Sequence, residues 1–88
     1  MKFTISRLCG GKALMAVPRE EMDIDMLRAA DVLEQEGCEV KQKDEMMVVF
    51  VWKDMETTLY PQGKVMFFPL NDKNLCIEYA VTILDSVA

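Results

Sequence analysis

The chain has 88 residues, 51% of them hydrophobic and 28% charged, with a formal net charge of −5, three cysteines and no histidine. That length and balance support one domain, residues 1–88, with a single small core, and the acidic excess opposes non-specific attraction to a phosphate backbone. No apolar run approaches a membrane span, the longest, Met46–Trp52, being strand-sized; the N-terminus carries no apolar leader, so a cytoplasmic protein with no membrane partner is expected.

The first stretch, residues 3–17, reads as extended. Phe3 and Ile5 alternate with Thr4 and Ser6, and Ala13–Val17 is a second apolar piece after Cys9-Gly10-Gly11. The glycine pair permits either a tight turn or a bulge in one long bent strand. Gly10-Gly11-Lys12 lacks the spacing of a phosphate-binding loop, and Ala13 stands where that loop needs a hydroxyl. Pro18 closes the segment. A helix follows, with Asp23 as N-cap, Asp25 as first-turn charge, an apolar stripe of Ile24, Leu27, Ala30 and Leu33, and Gly37 at its end.

Cys38–Lys43 alternates Cys38, Val40 and Gln42 against Glu39, Lys41 and Lys43, the pattern of a polar strand with a solvated face. A turn at Asp44-Glu45 leads into Met46–Trp52, the most apolar strand. Lys53-Asp54-Met55-Glu56 reads as a four-residue turn. Thr57–Tyr60 and Lys64–Leu70 then form a hairpin across Pro61-Gln62-Gly63. Asn71 or Asp72 caps a final helix whose Cys76, Tyr79, Ala80, Ile83, Leu84 and Val87 make an apolar stripe. The expected fold is α+β: one curved antiparallel sheet of about five strands with two helices packed on one face, in the order β-α-β-β-β-β-α.

This order, with the segments F-T-I-S-R-L-C-G-G-K and T-L-Y-P-Q-G-K-V-M-F-F and the helix from Asp72, resembles one repeat of the TATA-binding protein fold over nearly the whole chain. In that family two repeats form a saddle whose concave sheet meets a widened minor groove, with aromatic wedges kinking the duplex. The resemblance implies a concave face carrying Thr4, Ser6, Thr58, Tyr60, Met66 and Phe68, with Tyr60 where the family often has an intercalating phenylalanine. It also implies a homodimer, since one repeat is half a saddle. Thr4 replaces the family's first-strand asparagine, and Val40–Asp44 offers no second wedge.

Three readings of function follow. The first is a non-enzymatic interaction module that associates through its open sheet face, with itself as partner or with another protein. Tyr60, Met66 and Phe68 would form an apolar patch there, and a one-residue change of register would bury them as core instead. The second is a nucleic-acid-binding protein, with Lys2, Arg7, Lys12, Lys41, Lys43 and Lys64 as phosphate contacts and Tyr60 and Phe68 as stacking groups. The third is a thiol or metal protein. Without histidine, a nucleophile would be a cysteine activated by a cation or a helix N-terminus, and Cys9 beside Gly10-Gly11-Lys12 is the candidate reactive thiol. A zinc site would need Cys9, Cys38 and Cys76 together plus a further ligand. Reduced cysteines in a cytosolic core account for all three, so no metal and no cofactor is expected.

Overall fold

Residues 3–17 form a hairpin, not one bent strand. In the computed structural model, which describes residues 2–87, β1 (Phe3–Leu8) turns through a short 3-10 segment at Cys9–Gly11 into β2 (Ala13–Pro18). Cys9, Gly10 and Gly11 all take positive φ, at 54°, 66° and 87°, and the Lys12 N–H closes the turn on the Cys9 carbonyl. Two adjacent glycines tolerate this left-handed path at no side-chain cost. The chain continues as α1 (Met26–Gln35), β3 (Glu39–Lys43), β4 (Val48–Trp52), β5 (Met55–Leu59), β6 (Val65–Phe68) and α2 (Lys73–Val87). The six strands form one antiparallel sheet in the order β1-β2-β6-β5-β4-β3. Both helices pack on one face, as expected for an α+β domain, and the hairpin raises the strand count from about five to six.

The core lies between the layers. Leu14, Ala16, Val48, Phe50, Leu59, Val65 and Phe67 of the sheet meet Met26, Ala29, Ala30 and Leu33 of α1 and Cys76, Ala80, Ile83, Leu84 and Val87 of α2, all buried. At one end Tyr79 packs edge to face against Trp52, centroids 4.9 Å apart, and against Phe67, while Trp52 and Phe67 lie tilted to each other. The α2 stripe is the one the sequence implies, and Asp72 is its cap, accepting from the N–H groups of Asn74 and Leu75. No helix among the described residues is long and apolar enough to cross a membrane.

Five local expectations are corrected. Asp23 is not the cap of α1: Asp25 is, accepting from the Arg28 N–H at 3.2 Å. The Met22 and Ile24 N–H groups donate instead to the Gln62 and Pro61 carbonyls, which holds residues 22–24 extended on the β5–β6 loop and delays the helix. The stripe shifts accordingly to Met26, Ala29, Ala30 and Leu33, leaving Leu27 53% exposed. Gly37 does end the helix, with Cys38 and Gly37 N–H groups on the Leu33 and Glu34 carbonyls.

In β3 the alternation breaks at Lys41, where a bulge puts Val40 opposite Phe50 and Gln42 opposite Val49. Lys43 thereby reaches the helix side and pairs with Glu34 at 3.1 Å. The β4–β5 turn has two residues, not four. Lys53 and Asp54 both take positive φ (50° and 63°), the mirror-image turn that matches strand twist, so Met55 already pairs with Trp52. The strands are also trimmed: β4 begins at Val48, β5 ends at Leu59 and β6 ends at Phe68.

Candidate association face

Register decides which side chains the helices leave uncovered. Leu14 pairs with Phe67 and Ala16 with Val65 on the helix side, so Met15 and Met66, which pair with each other, point the opposite way. Carried across the sheet, the uncovered face holds Thr4 and Ser6 of β1, Met15 and Val17 of β2, Met66 and Phe68 of β6, Glu56 and Thr58 of β5, Val49 and Val51 of β4, and Glu39 and Gln42 of β3.

The middle of this face is apolar except at Glu56 of β5, exposed between Phe68 and Val51. Met15, Val17, Met66, Val49 and Val51 are half-buried with no second layer above them, and Phe68 is 38% exposed at the end of β6. Thr58, flanked by Met66 and Val49, is only 5% exposed. Polar residues close both margins: Thr4 and Ser6 on β1, Glu39 and Gln42 on β3. Five strand spacings make the face about 24 Å wide, and strands of about five residues make it about 17 Å long.

Of the residues singled out in the sequence, Thr4, Ser6, Thr58, Met66 and Phe68 lie together on this face. Tyr60 does not extend it as a strand residue. It stands in the β5–β6 loop, half-buried, its N–H donating to the Lys64 carbonyl at 3.0 Å. Met15, Val17, Val49 and Val51 escape sequence reading because A-L-M-A-V and V-V-F-V are apolar at both parities, so alternation carries no signal there.

The six candidate phosphate contacts do not converge. Lys2 and Arg7 belong to the β1 edge and Lys41 and Lys43 to the β3 edge, about 24 Å away across the sheet. Lys43 is committed to Glu34. Lys2 shares a cleft of about 590 Å³ with Arg19, Glu20, Glu21 and Met22, where acids accompany the cations. Lys12 borders a smaller cleft of about 320 Å³ with Gly11, Pro69, Leu70 and Asn71, and Lys64 lies at the β5–β6 loop.

The thiols are equally dispersed. Cys9 is exposed at the β1–β2 turn, Cys38 is partly covered after α1, and Cys76 is buried in α2. Burial pushes the Cys76 thiol up to about 11. Burial, then the neighbouring Glu36 carboxylate, raises that of Cys38. Among the described residues no three metal-ligating side chains of the Cys, Asp and Glu kind come together.

No family model, no curated protein and no solved structure matches this chain. What the face offers is its own chemistry: an apolar centre interrupted by Glu56, polar margins, and neither gathered cations nor a reactive cluster beside it.

Proposed function

We propose that the protein is a non-enzymatic interaction module that associates through its helix-free sheet face, with a second copy of itself as partner. The observation that carries this reading is the apolar side chains of Met15, Val17, Met66 and Phe68 on β2 and β6 and of Val49 and Val51 on β4, joined across β5 at Thr58 and interrupted there by the exposed Glu56, on a face with no covering layer. A patch of that kind on a small domain marks a contact surface.

Self-pairing is favoured by the arrangement of polar residues. Two sheets stacked about a twofold axis along the strands lay β2 over the partner's β4, β6 over its β5, and β1 over its β3. Apolar β2 then meets apolar β4. Glu56 of β5 comes level with Phe68 of the partner's β6, Glu39 of β3 with Leu8 of its β1 and Gln42 with Ser6, so no acidic strand covers another.

The relation to a TATA-binding protein repeat is part of the same proposal. Its support is the order β2-α1-β3-β4-β5-β6-α2, in which β2 and not the Phe3–Leu8 strand corresponds to the family's opening strand and β1 is an addition. Binding of nucleic acid draws less support, because Glu39 and Glu56 sit on the face while the lysines are divided between opposite edges. The proposed compartment is the cytoplasm, where Cys9, Cys38 and Cys76 stay reduced.

The test is the solution mass of the reduced protein by light scattering at low and high salt. Apolar association gives a dimer at both. A monomer at both salts overturns the homodimer, and an oligomer that dissolves with salt points to charge contacts instead.

A further inference from the structure

The two edges of the sheet are built differently. β3 carries Glu39, Lys41 and Lys43 and is interrupted by the bulge at Lys41, the devices that discourage a strand from pairing with another chain. β1 has neither. Its six residues pair with β2 without a register shift, it contains no proline, and Arg7 is its one charge.

Which backbone groups of β1 face outward follows from Pro18. Phe3 lies opposite Pro18, which has no N–H, while the Lys2 carbonyl accepts from the Arg19 N–H at 2.9 Å. In an antiparallel ladder hydrogen-bonded and non-bonded pairs alternate. Lys2, Thr4, Ser6 and Leu8 therefore exchange bonds with β2, and the N–H and C=O groups of Phe3, Ile5 and Arg7 point away from the sheet. Among the described residues no other strand lies beside them.

We infer that this edge is a second self-association surface, at which the β1 strands of two copies pair antiparallel about Ile5 and continue the sheet from one protomer into the next. Geometry selects the register. With helices on the same side of the joined sheet, opposed residues must share a face and must both present outward groups, so odd positions pair with odd. Centring on Ile5 sets Phe3 against the partner's Arg7, Ile5 against the partner's Ile5, and Arg7 against the partner's Phe3, each a pair that exchanges two backbone bonds. Centring on Ser6 or Thr4 brings in Cys9, whose positive φ is not extended, or residue 1, and loses one of these three pairs.

The side chains agree with the chosen register. Arg7 never opposes itself and lies over the Phe3 ring of the other copy. Ile5 meets its twin on the helix side, and Thr4 meets Ser6 on the open side. This contact shares no residue pair with the face-to-face stack and stands without it.

Amide hydrogen exchange by NMR on the full chain at high and low protein concentration tests it. Within a lone protomer only alternate β1 amides, those of Thr4, Ser6 and Leu8, are protected. Pairing at the edge adds Phe3, Ile5 and Arg7, with exchange at least about tenfold slower at the higher concentration. Ile5→Pro removes an outward N–H and no bond to β2, so it should abolish the added protection of Phe3 and Arg7 while leaving that of Thr4 and Ser6. Phe68→Glu, which disturbs only the face, should leave the edge protection in place. Fast exchange at Phe3, Ile5 and Arg7 at every concentration overturns the inference, as does edge protection that survives in Ile5→Pro.

Discussion

Phe68→Ala puts a number on the face. The side chain is 38% exposed in the protomer. A phenylalanine presents on the order of 200 Å², so about 75 Å² remains for a partner to cover. At about 25 cal/mol per Å² that is about 1.9 kcal/mol for each copy. An isologous dimer counts the residue twice, giving about 3.8 kcal/mol, or a Kd weakened by roughly 600-fold. Full burial is assumed, so this is an upper value, and tens of fold is the working expectation. The assay is sedimentation equilibrium over a wide concentration range at a temperature where circular dichroism finds both proteins folded. That control matters because Phe68 also packs within its own chain, and an unfolded variant would mimic a broken dimer. A folded Phe68→Ala protein whose Kd stays within about fivefold of the parent refutes the proposed role of Phe68, and with it the reach of the interface to the end of β6.

Two further outcomes test the fold that holds the face. Gly63 and Gly37 both have positive φ (99° and 92°), but a Cβ at Gly63 would lie 2.9 Å from the Met22 sulfur and 3.0 Å from the Pro18 ring, whereas one at Gly37 meets nothing within 4 Å. Each alanine carries a left-handed backbone strain of about 1–2 kcal/mol, and Gly63→Ala should lose about 1–3 kcal/mol more by urea unfolding; equal losses would mean that the β5–β6 loop is not wedged under residues 18–22. The Cys76 thiol, raised to about 11 from an ordinary value of 9.0, should make stability fall with alkali. Its protonated form is favoured by folding, so that contribution is complete below about pH 9 and is lost as pH rises toward 11, by about 2–3 kcal/mol. Urea midpoints across that range should converge in Cys76→Ala, and an unchanged alkaline slope in the variant would assign the loss to other groups.

The period of α2 and the glycine that ends α1 were the most legible features. Cys76, Tyr79, Ala80, Ile83, Leu84 and Val87 name the inner face of α2 directly, because one side of that helix is apolar and the other is not. The start of α1 was not legible, since what delays it is a pair of backbone bonds to Pro61 and Gln62, residues distant in the chain. Nor was the bulge at Lys41, which no residue type in E-V-K-Q-K announces. The open face was half legible. Thr4, Ser6, Thr58, Met66 and Phe68, which the resemblance to a TATA-binding protein repeat implies together with the loop residue Tyr60, lie on it, but Met15, Val17, Val49 and Val51 lie in strands that are apolar at both parities. Strands of that composition reveal their two faces only when pairing with neighbours fixes which parity the helices cover.

That double apolarity also explains what the first hairpin accomplishes. Without β1, the edge of the sheet would be β2, whose Ala13, Leu14 and Ala16 are buried and whose Met15 and Val17 are half-buried. An apolar edge of regular geometry is the kind that recruits other chains indiscriminately. β1 caps it with a strand in which Thr4, Ser6 and Arg7 interrupt the apolar residues, so the unpaired groups that remain belong to three residues. It does not end the edge as β3 does, with charge and a bulge. The outer row of the hairpin is thus permissive where the opposite margin is closed, and pairing is confined to the one register in which Arg7 avoids its twin and Ile5 meets its own. An added proline or a second charge on β1 would have closed this side as well; Ile5→Pro makes that change by a single substitution and leaves every bond between β1 and β2 in place.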